Sequence, residues 1–247
     1  MSGHSKWSTI KRQKGAADVK RGQLFTKLGR EITVAARNGG GDPAGNPSLR
    51  LAILKARDNN MPVDNIERAI KRGSGGGEAG SLEEMTLEGY SPGGAAMLLQ
   101  IVTDNRNRTI AEVRSIFTKN NASMGENGCV TWVFDQKGVV SLESEGDTEE
   151  LELSAIDAGA EDVKVDGRLV EIHTRPEDLE AVRKTLEDSG VSITSAEVTL
   201  IPQNLAQLDQ KAALQTLKLI EKLEDVDGVQ QVFTNADFPD DVLESYR

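Results

Sequence analysis

The sequence predicts an α+β protein of three domains, an all-helical N-terminal bundle followed by two ferredoxin-like α+β domains, the third inserted in the second. Three observations predict this fold class. The length of 247 residues exceeds the usual size of one domain. The hydrophobic period changes from helical to extended after a Gly-rich segment at 73–81. The later elements follow a β-α-β-β-α-β order.

The N-terminal domain, residues 1–76, contains three predicted helices. Apolar residues recur at helical spacing over 16–38 and again over 48–59, and Pro62 starts a third helix. The segment 73–81 is composed mainly of Gly and Ser and therefore predicts a flexible linker.

The middle domain is predicted from residues 82–135 together with 202–240. We expect Thr109 and Glu112 to form a capping box at the start of its first helix. The predicted strands are 85–94, 95–103, 128–134 and 229–234, and the predicted helices are 110–120 and 203–223.

The third domain, residues 136–201, is predicted as the insertion. Asp166-Gly167 is a typical hairpin turn between two of its strands. The predicted strands are 138–143, 161–167, 168–174 and 191–201, and the predicted helices are 148–159 and 176–190.

Charge is divided unevenly along the chain. Residues 1–76 carry a formal charge of +9 and the remainder carries −20, for a total of −11. A basic module joined to an acidic body is typical of a protein that binds a polyanion such as nucleic acid through one region only. Uneven charge on an ordinary solvated surface is the alternative.

Two basic segments in the first domain are the leading candidates for nucleic-acid contact. Their lysines and arginines would gain affinity by releasing counterions from phosphates. Trp7 would either stack on an unpaired base or fill the small helical core. The candidates are Lys6, Trp7, Lys11, Arg12 and Lys14 in an N-terminal arm, and Lys20, Lys27, Arg30 and Arg37 on one helix face.

Two further segments have alternative interpretations. Arg106 and Arg108 in DNRNRT are either phosphate contacts or part of the polar start of a helix, and the second interpretation is slightly favoured. The loop GGGDPAGN (39–46) could present backbone N–H groups to phosphate, but a simple helix–helix connection is the more ordinary interpretation.

The sequence offers little support for catalysis, for a metal site or for a cofactor. His4, His173 and Cys129 are isolated and lack ligand spacing, and a single cysteine cannot form an internal disulfide. No nucleophile–base pattern is apparent. Apolar runs are too short to span a membrane and no secretory signal is evident, so we expect a cytoplasmic protein.

Several segments together resemble the YebC/PmpR family, and the resemblance extends over the whole chain. The segments are GHSKW (3–7), KRGQLFTKLGREI (20–32), GGGDPAGNP (39–47), NNMP (59–62), EGYSPGG (88–94), DNRNRT (104–109) and SAEVTLIP (195–202). The resemblance implies three domains with the third inserted in the second, which agrees with the element count. It also implies a non-enzymatic regulator of gene expression and provides no catalytic residues.

The resemblance leaves two targets open. Bacterial members are described as DNA-binding transcriptional regulators, whereas mitochondrial relatives activate translation and some bacterial members are linked to ribosomes stalled on proline-rich stretches. We therefore expect a nucleic-acid partner, either DNA or ribosomal RNA. A small-molecule effector module is a further alternative, and the sequence does not predict an oligomeric state.

Overall fold

A computed structural model of the chain describes residues 18–75, 82–144 and 148–246. These residues divide into two compact units. One is Phe134–Gln203, and the other is built from the segments before and after it. The N-terminal arm and most of the predicted linker at 73–81 lie outside the described residues.

The N-terminal segment forms the three helices that were predicted: α1 is Asp18–Gly39, α2 is Pro47–Asp58 and α3 is Val63–Gly73. Their core is aliphatic and small, as the low aromatic content requires. Its fully buried members include Leu28, Ile32, Leu49 and Ala56, while Phe25 packs against the edge of this cluster.

The loop between α1 and α2 is a structural connection. Asn46 is buried and caps α2, since its Oδ1 accepts a hydrogen bond from the Leu49 N–H at 3.1 Å. Its Nδ2 donates to the carbonyls of Ala35 and Gly40, both at 2.8 Å. The Gly40 N–H donates to the Ala36 carbonyl of α1, and the Ala44 N–H donates to Asp42 Oδ1, so neither is directed at an external phosphate.

The second segment of this unit is a four-stranded antiparallel sheet in the described residues, with the order β3-β1-β2-β9. Three helices and the sheet share one hydrophobic core that contains Leu99, Phe117 and Leu217. The strands are β1 (Glu83–Tyr90), β2 (Ala96–Thr103), β3 (Ser123–Met124) and β9 (Val229–Thr234), and the helices are α4 (Arg106–Lys119), α7 (Gln210–Glu224) and α8 (Asp240–Ser245).

The predicted capping box at Thr109 and Glu112 is wrong. Helix α4 begins at Arg106, and the Asn105 side chain caps it by accepting a hydrogen bond from the Arg108 N–H at 3.0 Å. Thr109 lies inside the helix, where its buried hydroxyl is 2.9 Å from the Thr103 hydroxyl. Asparagine is the better N-cap, and it stands earlier in the chain than the threonine that the motif favoured.

Larger differences from the prediction occur in two further elements. The helix predicted over 203–223 begins only at Gln210, because Asp209 caps it and residues 206–207 instead form β8 (Ala206–Gln207), which pairs with β10 (Ala236–Asp237). The strand predicted over 128–134 is a loop with a short 3₁₀ turn at Thr131–Val133.

The unit Phe134–Gln203 has the predicted β-α-β-β-α-β order and a second four-stranded antiparallel sheet in the described residues, β5-β6-β4-β7. Gly167, with a φ of +60°, closes the predicted hairpin. The domain boundaries and the insertion stay predictions. The elements are β4 (Phe134–Glu143), α5 (Glu149–Asp157), β5 (Asp162–Asp166), β6 (Leu169–Thr174), α6 (Leu179–Asp188) and β7 (Ile193–Pro202).

A buried carboxylate explains why residues 128–133 are not a strand. Glu88 on β1 is only 3% exposed. Its Oε1 accepts the Gly128 N–H at 2.6 Å, and its Oε2 accepts those of Val130 and Thr131 at 2.7 and 2.9 Å. Backbone N–H groups that donate to this carboxylate cannot also donate to a neighbouring strand. The segment therefore forms a loop around the Glu88 side chain.

The same contacts set the acidity of Glu88. Burial by itself raises the pKa of this carboxyl group, but the hydrogen bonds from Gly128, Val130 and Thr131 outweigh it and the pKa is lowered overall. A carboxyl group whose pKa falls on folding stabilises the protein at pH values above its unfolded-state pKa, which is about 4.3. That contribution is lost as the pH falls through the folded-state pKa.

We expect Glu88→Gln to lower the free energy of unfolding by about 2–4 kcal/mol at neutral pH, because it replaces charge-assisted hydrogen bonds by an amide that cannot accept all three. Urea unfolding followed by tryptophan fluorescence measures this change. The difference from the parent protein should shrink as the pH falls below the unfolded-state value of about 4.3 and through the lowered folded-state pKa. Glu83→Gln, at an exposed position on the same strand, is the control and should change stability by less than about 0.5 kcal/mol. Equal midpoints for the two variants would contradict the role of Glu88.

Candidate nucleic-acid interface

The predicted arm residues Lys6, Trp7, Lys11, Arg12 and Lys14 lie outside the described residues. Lys20 belongs to helix α1, but its side chain is not described. The contacts predicted for these six residues therefore stay predictions. The remaining candidates, on α1 and α4, can be placed in the structure.

The basic face of α1 faces the segment that follows α7. Arg30 Nη2 lies 2.6 Å from Asp227 Oδ2, and Arg30 Nη1 donates to the Asp227 carbonyl. Lys27 Nζ donates to the carbonyl of Glu224, the last residue of α7. Carbonyl groups at a helix C-terminus carry partial negative charge, which attracts these cations.

Arg37, two turns further along α1, makes the corresponding contact with β1. Its Nη2 lies 2.7 Å from Glu84 Oε1, and its Nη1 donates to the Leu82 carbonyl. The predicted grouping of Lys27, Arg30 and Arg37 on one face thus joins the helical bundle to the end of α7 and the start of β1. Any of the three that binds a phosphate must first exchange one of these partners.

Arg106 and Arg108 lie in the first turn of α4. Arg108 Nη2 is 2.7 Å from Asp104 Oδ1, so this arginine takes part in the polar start of the helix. Arg106 is exposed and makes no hydrogen bond or ion pair with any residue that the structure describes. A cation at a helix N-terminus is slightly unfavourable, and a bound phosphate would offset that repulsion.

A groove lies beside this interface and contains two arginines that the sequence analysis did not select. Its volume is about 630 Å³. Asn65, Arg68 and Arg72 line it from α3 at positions i, i+3 and i+7, the spacing of one helix face. That spacing is visible in the sequence, but no feature of the sequence showed what the face opposes. The groove's other lining residues include Gly22, Phe25, Thr26, Gly29, Arg30, Met61, Leu82 and Asp104.

Of the isolated histidines and the cysteine that the sequence analysis considered, His4 lies outside the described residues, and His173 and Cys129 belong to packed parts of the fold. His173 is buried on β6, with its Nε2 3.7 Å from Glu171 Oε2. Burial first, and then the nearby Glu88 carboxylate, raise the pKa of Cys129, which keeps the thiol protonated at neutral pH. No group of three or more His, Cys, Asp or Glu side chains suited to a metal ion occurs in the part of the chain that the structure describes.

Two family models match almost the whole chain. The TACO1/YebC protein N-terminal domain matches residues 5–76, and the TACO1/YebC second and third domain matches residues 82–236. The chain belongs to the TACO1/YebC family.

Full-length relatives agree with this family. A probable transcriptional regulatory protein of Dehalococcoides mccartyi is 56% identical over 100% of this chain and 99% of its own length. One from Trichlorobacter lovleyi is 55% identical over 99% of both chains. The crystal structure of a conserved hypothetical protein from Aquifex aeolicus has a TM-score of 0.82 at 46% identity, covering 90% of this chain and 92% of the other.

The family, together with the relatives from Dehalococcoides mccartyi and Trichlorobacter lovleyi, indicates a probable transcriptional regulatory protein. The match to the N-terminal model ends at residue 76 and the second match begins at 82, so the gap between them falls within the predicted linker at 73–81. Within the described residues of this TACO1/YebC chain, no helix has the length and apolarity needed to cross a membrane.

We expect Arg30 and Asp227 to be energetically coupled by about 0.5–1 kcal/mol, since one partner is largely buried and the other is exposed. Urea unfolding of Arg30→Ala, Asp227→Ala and the double variant measures this coupling as a double-mutant cycle. Arg30→Ala should be the more destabilising single change, because it also removes a hydrogen bond to a backbone carbonyl. Arg106→Ala is the control and should change stability by less than about 0.5 kcal/mol. Additivity within about 0.3 kcal/mol would contradict the coupling.

Proposed function

We propose that the chain is a non-enzymatic, DNA-binding regulator of transcription that acts in the cytoplasm. The main support for this proposal is the uneven distribution of charge, since residues 1–76 have a formal charge of +9 while the rest of the chain has −20. A surface that attracts phosphate is thereby confined to one region. The names of the full-length relatives support the same class.

The proposed contacts are the residues predicted from the sequence. The arm and Lys20 would approach phosphates directly, and Trp7 would stack on a base or pack in the core. Arg106 is available to a phosphate without giving up a described partner. Lys27, Arg30, Arg37 and Arg108 would contact phosphate only by exchanging the partners described above. The acidic remainder, including the proposed insertion at 136–201, would repel phosphate and so limit the extent of the contact.

Reversing the arm charges should test the proposal. We expect the variant Lys6→Glu, Lys11→Glu, Arg12→Glu and Lys14→Glu to bind a short labelled DNA duplex at least about tenfold more weakly at low salt. The slope of log affinity against log salt should also become shallower, by about 0.9 for each phosphate that the variant no longer binds. Fluorescence anisotropy over a salt series measures both quantities.

A matched variant controls for net charge. Lys119, Lys184, Lys211 and Lys218 are exposed and lie outside the first domain. Their reversal to Glu makes the same change in formal charge. If both variants weaken binding equally, attraction depends on total charge and the proposed arm contact is wrong. If the parent protein binds no DNA even at low salt, the DNA-binding function is wrong.

A ribosome-associated translation factor that relieves stalling on proline-rich stretches is a second candidate. The observation that favours it is the concave, arginine-lined groove, because sequence-specific duplex binders usually insert a projecting helix or strand. RNA recognition more often uses pockets for unpaired nucleotides.

Sedimentation of the tagged protein through a sucrose gradient of native lysate separates the two candidates. Under the translation hypothesis, we expect the parent protein to migrate with ribosomes and the arm-reversal variant to remain at the top of the gradient. Migration of the parent protein only at the top would reject the ribosome and favour DNA. Ribosome migration that persists in the reversed variant would reject the arm as the contact.

A further inference from the structure

We propose that the groove between α1 and α3 binds an unpaired nucleotide segment of RNA or DNA, with Arg68 and Arg72 holding its phosphates. The inference rests on the proposed nucleic-acid-binding function and assigns a site within it. None of the groove's α3 residues was among the contacts predicted from the sequence.

The two arginines are placed and oriented for an anion. They are four residues apart on α3, so their α-carbons are separated by about 6 Å along the helix axis. Arg68 Nε donates to the Asp64 carbonyl at 3.1 Å, and its Nη2 donates to Asn65 Oδ1. These contacts orient the guanidinium group and leave donors for a ligand. Arg72 is exposed and has no hydrogen bond or ion pair with any described residue.

The groove is electrostatically asymmetric. Asp104 also lines the groove and would repel a phosphate near it, although Arg108 partly compensates its charge. Arg30 also lines the groove, but Asp227 already neutralises it. Uncompensated positive charge therefore comes from Arg68 and Arg72, which directs phosphates to the α3 side.

The α1 side provides space and apolar surface for a base. Phe25 is partly buried, and Met61 forms part of the lining. Gly22 and Gly29 lie on the groove face of α1, and a Cβ at Gly22 would have no heavy atom within 4 Å. Glycine inside a helix is about 1 kcal/mol less favourable than alanine. At Gly22 the described structure has room for a Cβ, so packing does not explain the glycine. A ligand that approaches the helix closely would explain it, because glycine has no side chain.

The size of the groove favours an unpaired segment over a duplex. Pockets for small ligands measure about 300–1,000 Å³, and this groove falls within that range. A duplex is instead contacted from outside, by elements that enter its grooves. Unpaired bases can turn away from their neighbours and stack on an aromatic side chain, while arginines hold the backbone.

The test compares short labelled single strands of RNA and DNA with a duplex of the same sequence, by fluorescence anisotropy. We expect Arg68→Ala with Arg72→Ala to weaken single-strand binding by about tenfold or more and duplex binding by much less. Arg57→Ala with Lys71→Ala is the matched control, since both residues are exposed on the same bundle outside the groove lining. This control should change single-strand affinity by less than about threefold.

A second variant tests the groove without changing charge. Gly22→Leu places a side chain into open space and improves helix propensity, so the protein should fold while single-strand binding falls. The RNA and DNA single strands identify the source of the ligand, because dependence on the 2′-hydroxyl would favour RNA.

The outcomes separate this inference from the proposed function. If the parent protein binds and the arm-reversal variant does not, while both groove variants bind like the parent, the groove assignment is wrong and the proposed function stands. An equal decrease of single-strand and duplex binding in the groove variants would overturn the preference for unpaired segments. Absence of binding by the parent to any of the nucleic acids would reject both.

Discussion

The contacts of α1 with the middle sheet are the constraint on which the rest of the candidate interface depends. Arg30 with Asp227 and Lys27 with the Glu224 carbonyl hold the helical bundle against the end of α7, and Arg37 with Glu84 holds it against the start of β1. Leu82 and Asp104, on one side of the groove, belong to that sheet segment, whereas Arg68 and Arg72 belong to the bundle. The groove exists because these contacts bring the two sides together.

These ion pairs also change how the uneven distribution of charge along the chain is interpreted. A net charge of +9 over the first 76 residues suggests a surface that is available to phosphate. Part of that charge instead neutralises Glu84 on β1 and Asp227 after α7, so the net charge overstates the positive charge that is available to a ligand. Asp227 is 62% exposed, and such pairs are individually weak and sensitive to salt. Together with the hydrogen bonds to backbone carbonyls, they position α1 more than they stabilise it.

Local patterns predicted the fold well wherever an element was decided by its own residues. The three N-terminal helices and the β-α-β-β-α-β order followed from hydrophobic period and turn residues. Long-range polar contacts caused the errors. Glu88 takes the N–H groups of Gly128, Val130 and Thr131 from a segment whose composition favoured a strand. Thr109 bonds to Thr103 on β2 instead of capping its own helix.

The candidate site was predictable only in part, for a related reason. Helical spacing correctly grouped Lys27, Arg30 and Arg37, but the same spacing applies whether a basic face meets phosphate or the protein's own carboxylates. Arg68 and Arg72 share a face by the same rule, and their environment became apparent only when α1 and the sheet were placed beside them. The helical spacing of residues identifies those that share a face, but tertiary structure decides what that face contacts.

The salt dependence of binding can distinguish the basic residues that contact phosphates from those that keep their acidic partners within the protein. If Arg30 and Arg37 keep their acidic partners in the complex, the salt slope counts only the phosphates held by the arm, by Arg106 and by the groove. If they exchange Asp227 and Glu84 for phosphates, the slope includes them as well, but each exchange must also break an existing pair. Binding by exchange would therefore give a steep salt slope with low affinity, whereas binding that leaves α1 in place would give a shallower slope with higher affinity. The positions of Arg30 and Arg37 against the sheet favour the second behaviour.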